Sequence, residues 1–253
     1  MSTWVFLRGL AREARHWGDF PATFQAEIAD ANIIAPDLPG NGQLNHLKSP
    51  LSVREMVDYC REEVKRRGIS PPCHLLGLSL GAMVAVEWAT AYPQEILPSV
   101  LINTSLRPFS PFYHRLRPRN YPSLLTLATL HGNAEKAERA ILRMTSTRRD
   151  PQSDVIDAWV STRMQNPVTR LNALRQLIAA ARYRAPTRQP DVPLLVLAAA
   201  QDGLVNPQCS QQLAHRWRAA HAVHPDAGHD LPLDDGAWVA RQVREWLAAL
   251  PLA

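Results

Sequence analysis

Short apolar runs alternate with amphipathic stretches along this chain, and their order predicts its layers. Trp4-Val5-Phe6-Leu7 is an apolar run ended by Arg8-Gly9, the pattern of a buried strand that feeds a loop. Asn32-Ile33-Ile34-Ala35 is a second such run, stopped at Pro36-Asp37-Leu38-Pro39-Gly40, a cluster that continues neither strand nor helix. The period then becomes helical. Val53, Met56, Val57, Cys60 and Val64 share one face, Ser52 and Glu55 have capping-box spacing, and Lys65-Arg66-Arg67-Gly68 closes the segment with cations and a glycine. His74-Leu75-Leu76-Gly77 runs directly into a helical stretch over 80–89 that is stopped by Tyr92-Pro93, and Val100-Leu101-Ile102-Asn103 follows as a further strand. Strands alternating with helices at this spacing predict an α/β protein, its sheet mostly parallel, with right-handed crossovers and helices on both faces.

From 106 to 188 the pattern changes. There is no β-branched strand run, and helical stretches are expected over 135–144, 155–164 and 168–183, so a helical unit of 106–188 is predicted as a cap inserted into a core made of 1–105 and 189–253. The sheet pattern resumes at Val192-Pro193-Leu194-Leu195-Val196-Leu197-Ala198. A helix over about 209–219, a short strand near Ala222-Val223 and a last helix over about 237–250 complete the chain, the last with Val239, Val243, Trp246, Leu247 and Leu250 on one face.

Composition narrows the class. With 253 residues, 46% hydrophobic and 20% charged, the chain is globular rather than disordered, collagenous or coiled-coil. No run approaches the ~18 consecutive apolar residues of a membrane span, and the first residues lack a signal-peptide pattern, so a cytoplasmic protein with no membrane partner is expected. Cys60, Cys73 and Cys209, odd in number and widely spaced, suit a reducing compartment better than a disulfide frame or a metal site.

The net charge of +5 is unevenly placed. The 106–188 segment holds fourteen Arg and one Lys against five acidic residues, a balance of +10, which leaves 13 basic and 18 acidic residues, or −5, for the remainder. Either an Arg-rich solvated surface or a docking face for an anionic partner follows. No helix-turn-helix, zinc or RNA-binding signature accompanies the charge, so nucleic acid is not expected as a partner.

The chemistry concentrates in Gly77-Leu78-Ser79-Leu80-Gly81, a G-x-S-x-G between a buried strand and a helix. A strand that turns abruptly into a helix holds its apex residue in a strained conformation, and flanking glycines remove the Cβ atoms that would collide there. The Ser79 hydroxyl is then presented at the C-terminal edge of the sheet, with the Leu80 N–H at the helix N-terminus available to a developing oxyanion. Serine at its normal pKa is a poor nucleophile and requires a base and an orienting group. Of nine histidines, His229 in Ala227-Gly228-His229-Asp230 lies in a loop after the last short strand, whereas His221 and His224 belong to the strand itself. Asp202 in Gln201-Asp202-Gly203 follows the strand at 194–198; no Asp or Glu occurs over 100–134, where the alternative acid would sit. An Asp-Gly is more often simply a turn, but the chain order Ser79, Asp202, His229 favours the orienting role.

Strand, nucleophile elbow, helical insertion, acid and histidine come in the sequence found in the α/β-hydrolase fold superfamily, which the chain resembles over almost its whole length. The resemblance implies Ser79 as nucleophile, His229 as general base and acid, Asp202 as its orienter, and the Leu10 N–H beside that of Leu80 as the second oxyanion donor. Pro36-Asp37-Leu38-Pro39-Gly40-Asn41-Gly42 also resembles the family's loop after its next strand. The family usually carries His-Gly where this chain has Arg8-Gly9; Arg8 either contacts substrate or forms a structural ion pair, the second being favoured. The chain starts at what would be the family's third strand, so the sheet is expected to be shortened at that edge.

Ester hydrolysis is the expected reaction. A serine disfavours the dehalogenase and epoxide-hydrolase branches, which use an aspartate, and Ala82, Met83 and Val84 stand where a menaquinone-pathway lyase of this fold has an arginine. Among compact capped members the chain looks most like carboxylesterases that cleave the methyl ester of pimeloyl-acyl carrier protein. By that likeness Arg139 and Arg143, one helical turn apart, with Arg148 and Arg149 after them, would dock an acidic carrier protein. A C–C bond hydrolase, an acyl-coenzyme A thioesterase and a ligand-binding relative without turnover are the alternatives. Phe109, Phe112, Tyr113 and Tyr121 are read as pocket or cap-core residues, core packing being favoured for most. No phosphate-binding glycine loop and no metal-ligand spacing is present, so no cofactor and no metal is expected.

Overall fold

The computed structural model describes residues 2–129, 133–148 and 153–251. A sheet of six strands runs β1 (Ser2–Leu7), β2 (Ala31–Ile34), β3 (His74–Leu78), β4 (Ser99–Ile102), β5 (Leu194–Ala199) and β6 (Ala220–His224), in the spatial order β2-β1-β3-β4-β5-β6. Every neighbouring pair is parallel. The predicted α/β class and parallel sheet are therefore what the chain adopts.

Alternation along the strands splits the apolar residues between two faces, because successive side chains point to opposite sides of a sheet. Trp4, Phe6, Leu76, Leu78, Val100, Ile102, Leu195 and Leu197 pack with Phe20 and Phe24 of α1 (Phe20–Glu27) and with Val239, Ala240 and Val243 of α10 (Leu231–Ala249). Val5, Leu7, Leu75, Leu101, Leu194 and Val196 pack with α2 (Val53–Arg66), α3 (Leu80–Ala91) and α9 (Gln208–Trp217) on the other face. The α2 start is as expected, with Ser52 Oγ accepting from the Glu55 N–H at 3.5 Å. Helix α1 was not anticipated. The last helix begins earlier than its apolar face suggested: Pro232 opens a first turn, and a non-helical Asp235 (φ −150°, ψ 76°) separates it from the amphipathic part.

Between β4 and β5 the described chain forms α4 (Phe112–Arg115), α5 (Tyr121–Thr129), α6 (Ala134–Thr145), α7 (Ser153–Gln165) and α8 (Arg170–Arg182). Helix α8 has its polarity reversed. Its buried side carries Asn172 and Gln176, while Leu171 is 60% and Leu174 52% exposed. The inward amides are used in hydrogen bonds: Asn172 Oδ1 accepts from the Ser49 N–H, and Gln176 Nε2 donates to Asn41 Oδ1 at 2.7 Å. The favoured core role of the aromatic residues is corrected here. Phe112, Tyr113 and Tyr121 are exposed, and Phe109 alone of the four packs against the core, edge-on to Trp217.

Candidate active site

Ser79 is the single residue between β3 and α3, with φ 57° and ψ −112°. A non-glycine residue rarely occupies positive φ, and such strain persists only where the surroundings impose it. Here they do. The Ser79 N–H donates to Ile102 O of the neighbouring strand at 3.0 Å, and Ser79 O accepts from Thr104 Oγ1. A Cβ on Gly81 would lie 1.9 Å from Leu7 O, and one on Gly77 would lie 2.5 Å from Gly81 O, so the turn closes only with glycine at both places. Helical hydrogen bonding onto Ser79 O begins at the N–H groups of Ala82 and Met83, which leaves those of Leu80 and Gly81 outside the ladder, as at any helix start.

The β1 loop reaches the same point. A Cβ built on Gly9 would sit 3.5 Å from Ser79 Cβ and 4.0 Å from its Oγ, so Gly9 lies beside the serine with about the room of one methyl group between them. Three side chains hold this loop, two from the 36–42 segment and one, Gln176, that no local pattern in the sequence marks. Gln176 Oε1 accepts from the Ala11 N–H at 2.8 Å, Asn41 Nδ2 donates to Arg12 O at 2.9 Å, and Asp37 Oδ1 accepts from the Ala14 N–H at 2.8 Å. The segment 36–42 thus braces the loop that carries Leu10.

His229 Nδ1 lies 2.7 Å from Asp202 Oδ2, and both side chains are buried. The other carboxylate oxygen accepts from the N–H groups of Leu204 (2.8 Å) and Val205 (2.9 Å). An ionised carboxylate only accepts, so the Nδ1 proton belongs to the histidine and Nε2 is left with its lone pair free. Burial works against the imidazolium, but the charge and hydrogen bond of Asp202, aided by Asp230, outweigh burial and the opposing Arg8 charge, raising the His229 pKa above its ordinary value.

Asn103 fills the β4 end, where no acid was found. With φ 45° it donates from Nδ2 to His229 O at 2.8 Å and to Gly228 O at 3.2 Å, and accepts the Ala199 N–H on Oδ1 at 2.8 Å. One amide thereby joins β4, β5 and the histidine loop. The signal available in sequence was an asparagine, a residue tolerant of positive φ, closing an apolar strand.

Arg8 forms a buried two-pronged pair with Asp230, Nη2 to Oδ2 at 2.7 Å and Nη1 to Oδ1 at 3.2 Å, and its guanidinium lies over the Trp17 ring. Arg12 donates to Glu138 of α6, which also accepts from Arg163 of α7, and lies over Trp159. The Asp230 N–H donates to Thr145 O at the end of α6, and Asp234 accepts from the N–H groups of Gly228 and Thr147. Of the arginines assigned to a partner, Arg139 is paired with Glu135 on its own helix, Arg143 and Arg148 are exposed, and Arg149 lies outside the described residues. None of the three described ones is part of the Asp202–His229 pair or the Ser79 turn. The three cysteines are buried and unpaired, and burial pushes the Cys60 and Cys73 thiols up to about 12. Among the described residues no cluster of His, Cys, Asp or Glu could hold a metal ion, and no helix is long and apolar enough to cross a membrane.

The chain is 27% identical over 250 residues to the pimeloyl-[acyl-carrier protein] methyl ester esterase of Serratia marcescens, covering 88% of this chain and 89% of that protein. It is 28% identical over 225 residues to the biotin biosynthesis bifunctional protein BioHC of Cellvibrio japonicus, covering 84% of this chain but 42% of the relative, so the chain spans less than half of that protein. In fold it matches the enol-lactonase from Burkholderia xenovorans with a TM-score of 0.79 and 17% identity, over 98% of this chain and 91% of that one. A family model described as the alpha/beta hydrolase family matches residues 4–242, and the chain belongs to that family.

Proposed function

We propose that the chain is a serine hydrolase that cleaves a carboxylic ester through an acyl-enzyme on Ser79. The observation that carries this reading is the buried Asp202–His229 pair, held at the same sheet edge as a serine at the strained apex of a strand–helix turn. In the first half-reaction Ser79 Oγ bonds to the acyl carbon while His229 Nε2 takes its proton, and the oxyanion accepts hydrogen bonds from the N–H groups of Leu10 and Leu80. Collapse breaks the ester C–O bond, and the imidazolium returns the proton to the departing alcohol. Water then adds to the acyl-enzyme with His229 as base, and the acid leaves as Ser79 regains its proton. Asp202, in contact with Nδ1, orients the ring and stabilises the imidazolium.

The finer reading is an ester presented on an acidic carrier protein that meets the Arg143 and Arg148 side of the chain. It is supported by the +10 balance of residues 106–188 and by the similarity to the Serratia marcescens esterase. The p-nitrophenyl esters from acetate to octanoate test the chemistry, with wild type and Ser79→Ala run in parallel. We expect hydrolysis by wild type and a loss of about a thousandfold or more in the variant; equal rates for the two would overturn the assignment. Labelling of Ser79 by a fluorophosphonate separates an enzyme from a binding protein of the same fold.

A further inference from the structure

We infer that a groove at the C-terminal end of α8, apart from the Ser79 site, binds a phosphate-bearing ligand. The groove has a volume of about 450 Å³ and is lined by Arg107, Arg115 and Arg184, with Ser110, Pro111 and Phe112 among its other walls. The fold fixes these cations relative to one another. Arg107 and Arg184 face each other across a parallel backbone bridge, with the Ala185 N–H donating to Arg107 O at 2.8 Å. Arg115 donates from Nη2 to Ala180 O at 2.6 Å and from Nε to Ser105 O.

A helix C-terminus attracts cations, and capping accounts for part of this arrangement: Arg107 and Arg115 both donate to Ala181 O. It does not account for all of it. The helix end supplies roughly half a negative charge, against three full positive charges. Among the described residues none of the three arginines forms an ion pair, and the two stretches that build the groove, 96–134 and 158–190, contain no Asp or Glu. The Arg184 guanidinium takes no part in capping. Burial, and after it the Arg107 charge, already presses against the Arg115 guanidinium, a repulsion that an anion between them would relieve.

The shape says more about the ligand. Forked guanidinia suit an oxyanion with several acceptor oxygens, and arginine is favoured wherever phosphate is gripped from more than one side. The volume falls in the range of organic-ligand sites rather than that of a lone oxyanion. Phe112, 73% exposed at the rim and packed at right angles to the Tyr113 ring, offers an apolar aromatic surface. A phosphate joined to a planar or apolar group satisfies all three features.

Isothermal titration of the full chain with adenosine 3′,5′-bisphosphate, and separately with inorganic pyrophosphate, tests the site. We expect saturable binding that weakens with salt and falls tenfold or more in Arg107→Gln/Arg184→Gln, both exposed positions. Arg66→Gln/Arg244→Gln, which removes the same charge elsewhere, should keep wild-type affinity. Tighter binding of the bisphosphate assigns the groove to a phosphate on an organic group, while equal affinities assign it to free phosphate. Absence of binding by both probes, or binding unchanged in the groove variant, overturns the proposal. Melting curves confirm that the variants are folded, and each single substitution carries the same test.

Discussion

At the scale of single residues, Asn103 is the group whose removal separates positioning from chemistry. Its side-chain hydrogen bonds go to backbone groups and not to Ser79 Oγ or the imidazole, and they hold the His229 carbonyl and the Ala199 N–H at once. Asn103→Ala takes the side-chain partner from one backbone donor, the Ala199 N–H, and from two acceptors, His229 O and Gly228 O, at a cost of about 1–3 kcal/mol for each buried group left unsatisfied. We predict a melting temperature lowered accordingly and a kcat reduced at least tenfold with KM little changed, because the histidine loop loses its register. A kcat equal to wild type would show that the loop is held by its other contacts. Ser79, His229 and Asp202 stand out as candidates in the sequence because each has a local signature: glycines around an apex, or a polar residue just past an apolar strand. Asn103, Gln176 and Asp37 do not, because each works through a partner far along the chain, and no spacing rule connects residue 176 to the backbone of Ala11.

Among elements, the buried Arg8–Asp230 pair joins the loop after β1 to the loop before α10. It stands where the family usually has a His-Gly, so in this chain an ion pair ties the Leu10 segment to the residue next to His229. Burial lowers the His229 pKa and Arg8 lowers it further, whereas Asp202 and Asp230 raise it. Asp230→Asn removes one raising influence and leaves the Arg8 charge uncompensated, and both changes act downward. The base form of His229 then persists to lower pH. We therefore predict that the acid limb of the kcat/KM profile, which lies above pH ~6.5 in wild type, moves to lower pH in the variant. Breaking a buried pair also destabilises by about 3–5 kcal/mol, so the profile is to be measured well below the variant's melting temperature. An unmoved limb would mean that Asp230 does not act on the histidine. The strands and most long helices were legible because their apolar period was regular. Helix α1 has a weak amphipathic pattern over a short length, and the first turn of α10 is hidden by the break at Asp235.

Across the whole molecule, charged side chains help fasten the chain between β4 and β5 to the core, Arg12 pairing with Glu138 of α6. The arginine excess of that segment was visible in the sequence, but the pairing of Glu138 with both Arg12 and Arg163 was not. Against that cluster lies His16, whose ring packs near Trp159 and whose Nδ1 accepts from the Glu13 N–H. Burial, followed by the charges of Arg12 and Arg8, holds His16 neutral far below its ordinary pKa. Below pH ~6.5 the unfolded chain binds a proton at this histidine while the folded chain does not, so folding loses about 1.4 kcal/mol for each further pH unit from this group. His229 runs the other way: its raised pKa adds stability below its unfolded value, and that contribution is already complete by about pH 5.5. Acid stability below that point is therefore governed more by His16 than by His229. Substitution His16→Leu removes the titration while keeping an apolar contact with Trp159. Thermal melts between pH 5.5 and 4.5 should show a shallower decline in the variant than in wild type, whatever its absolute stability at neutral pH. Parallel slopes would mean that His16 takes up its proton in the folded state, with the Arg12–Glu138–Arg163 junction opening to admit it.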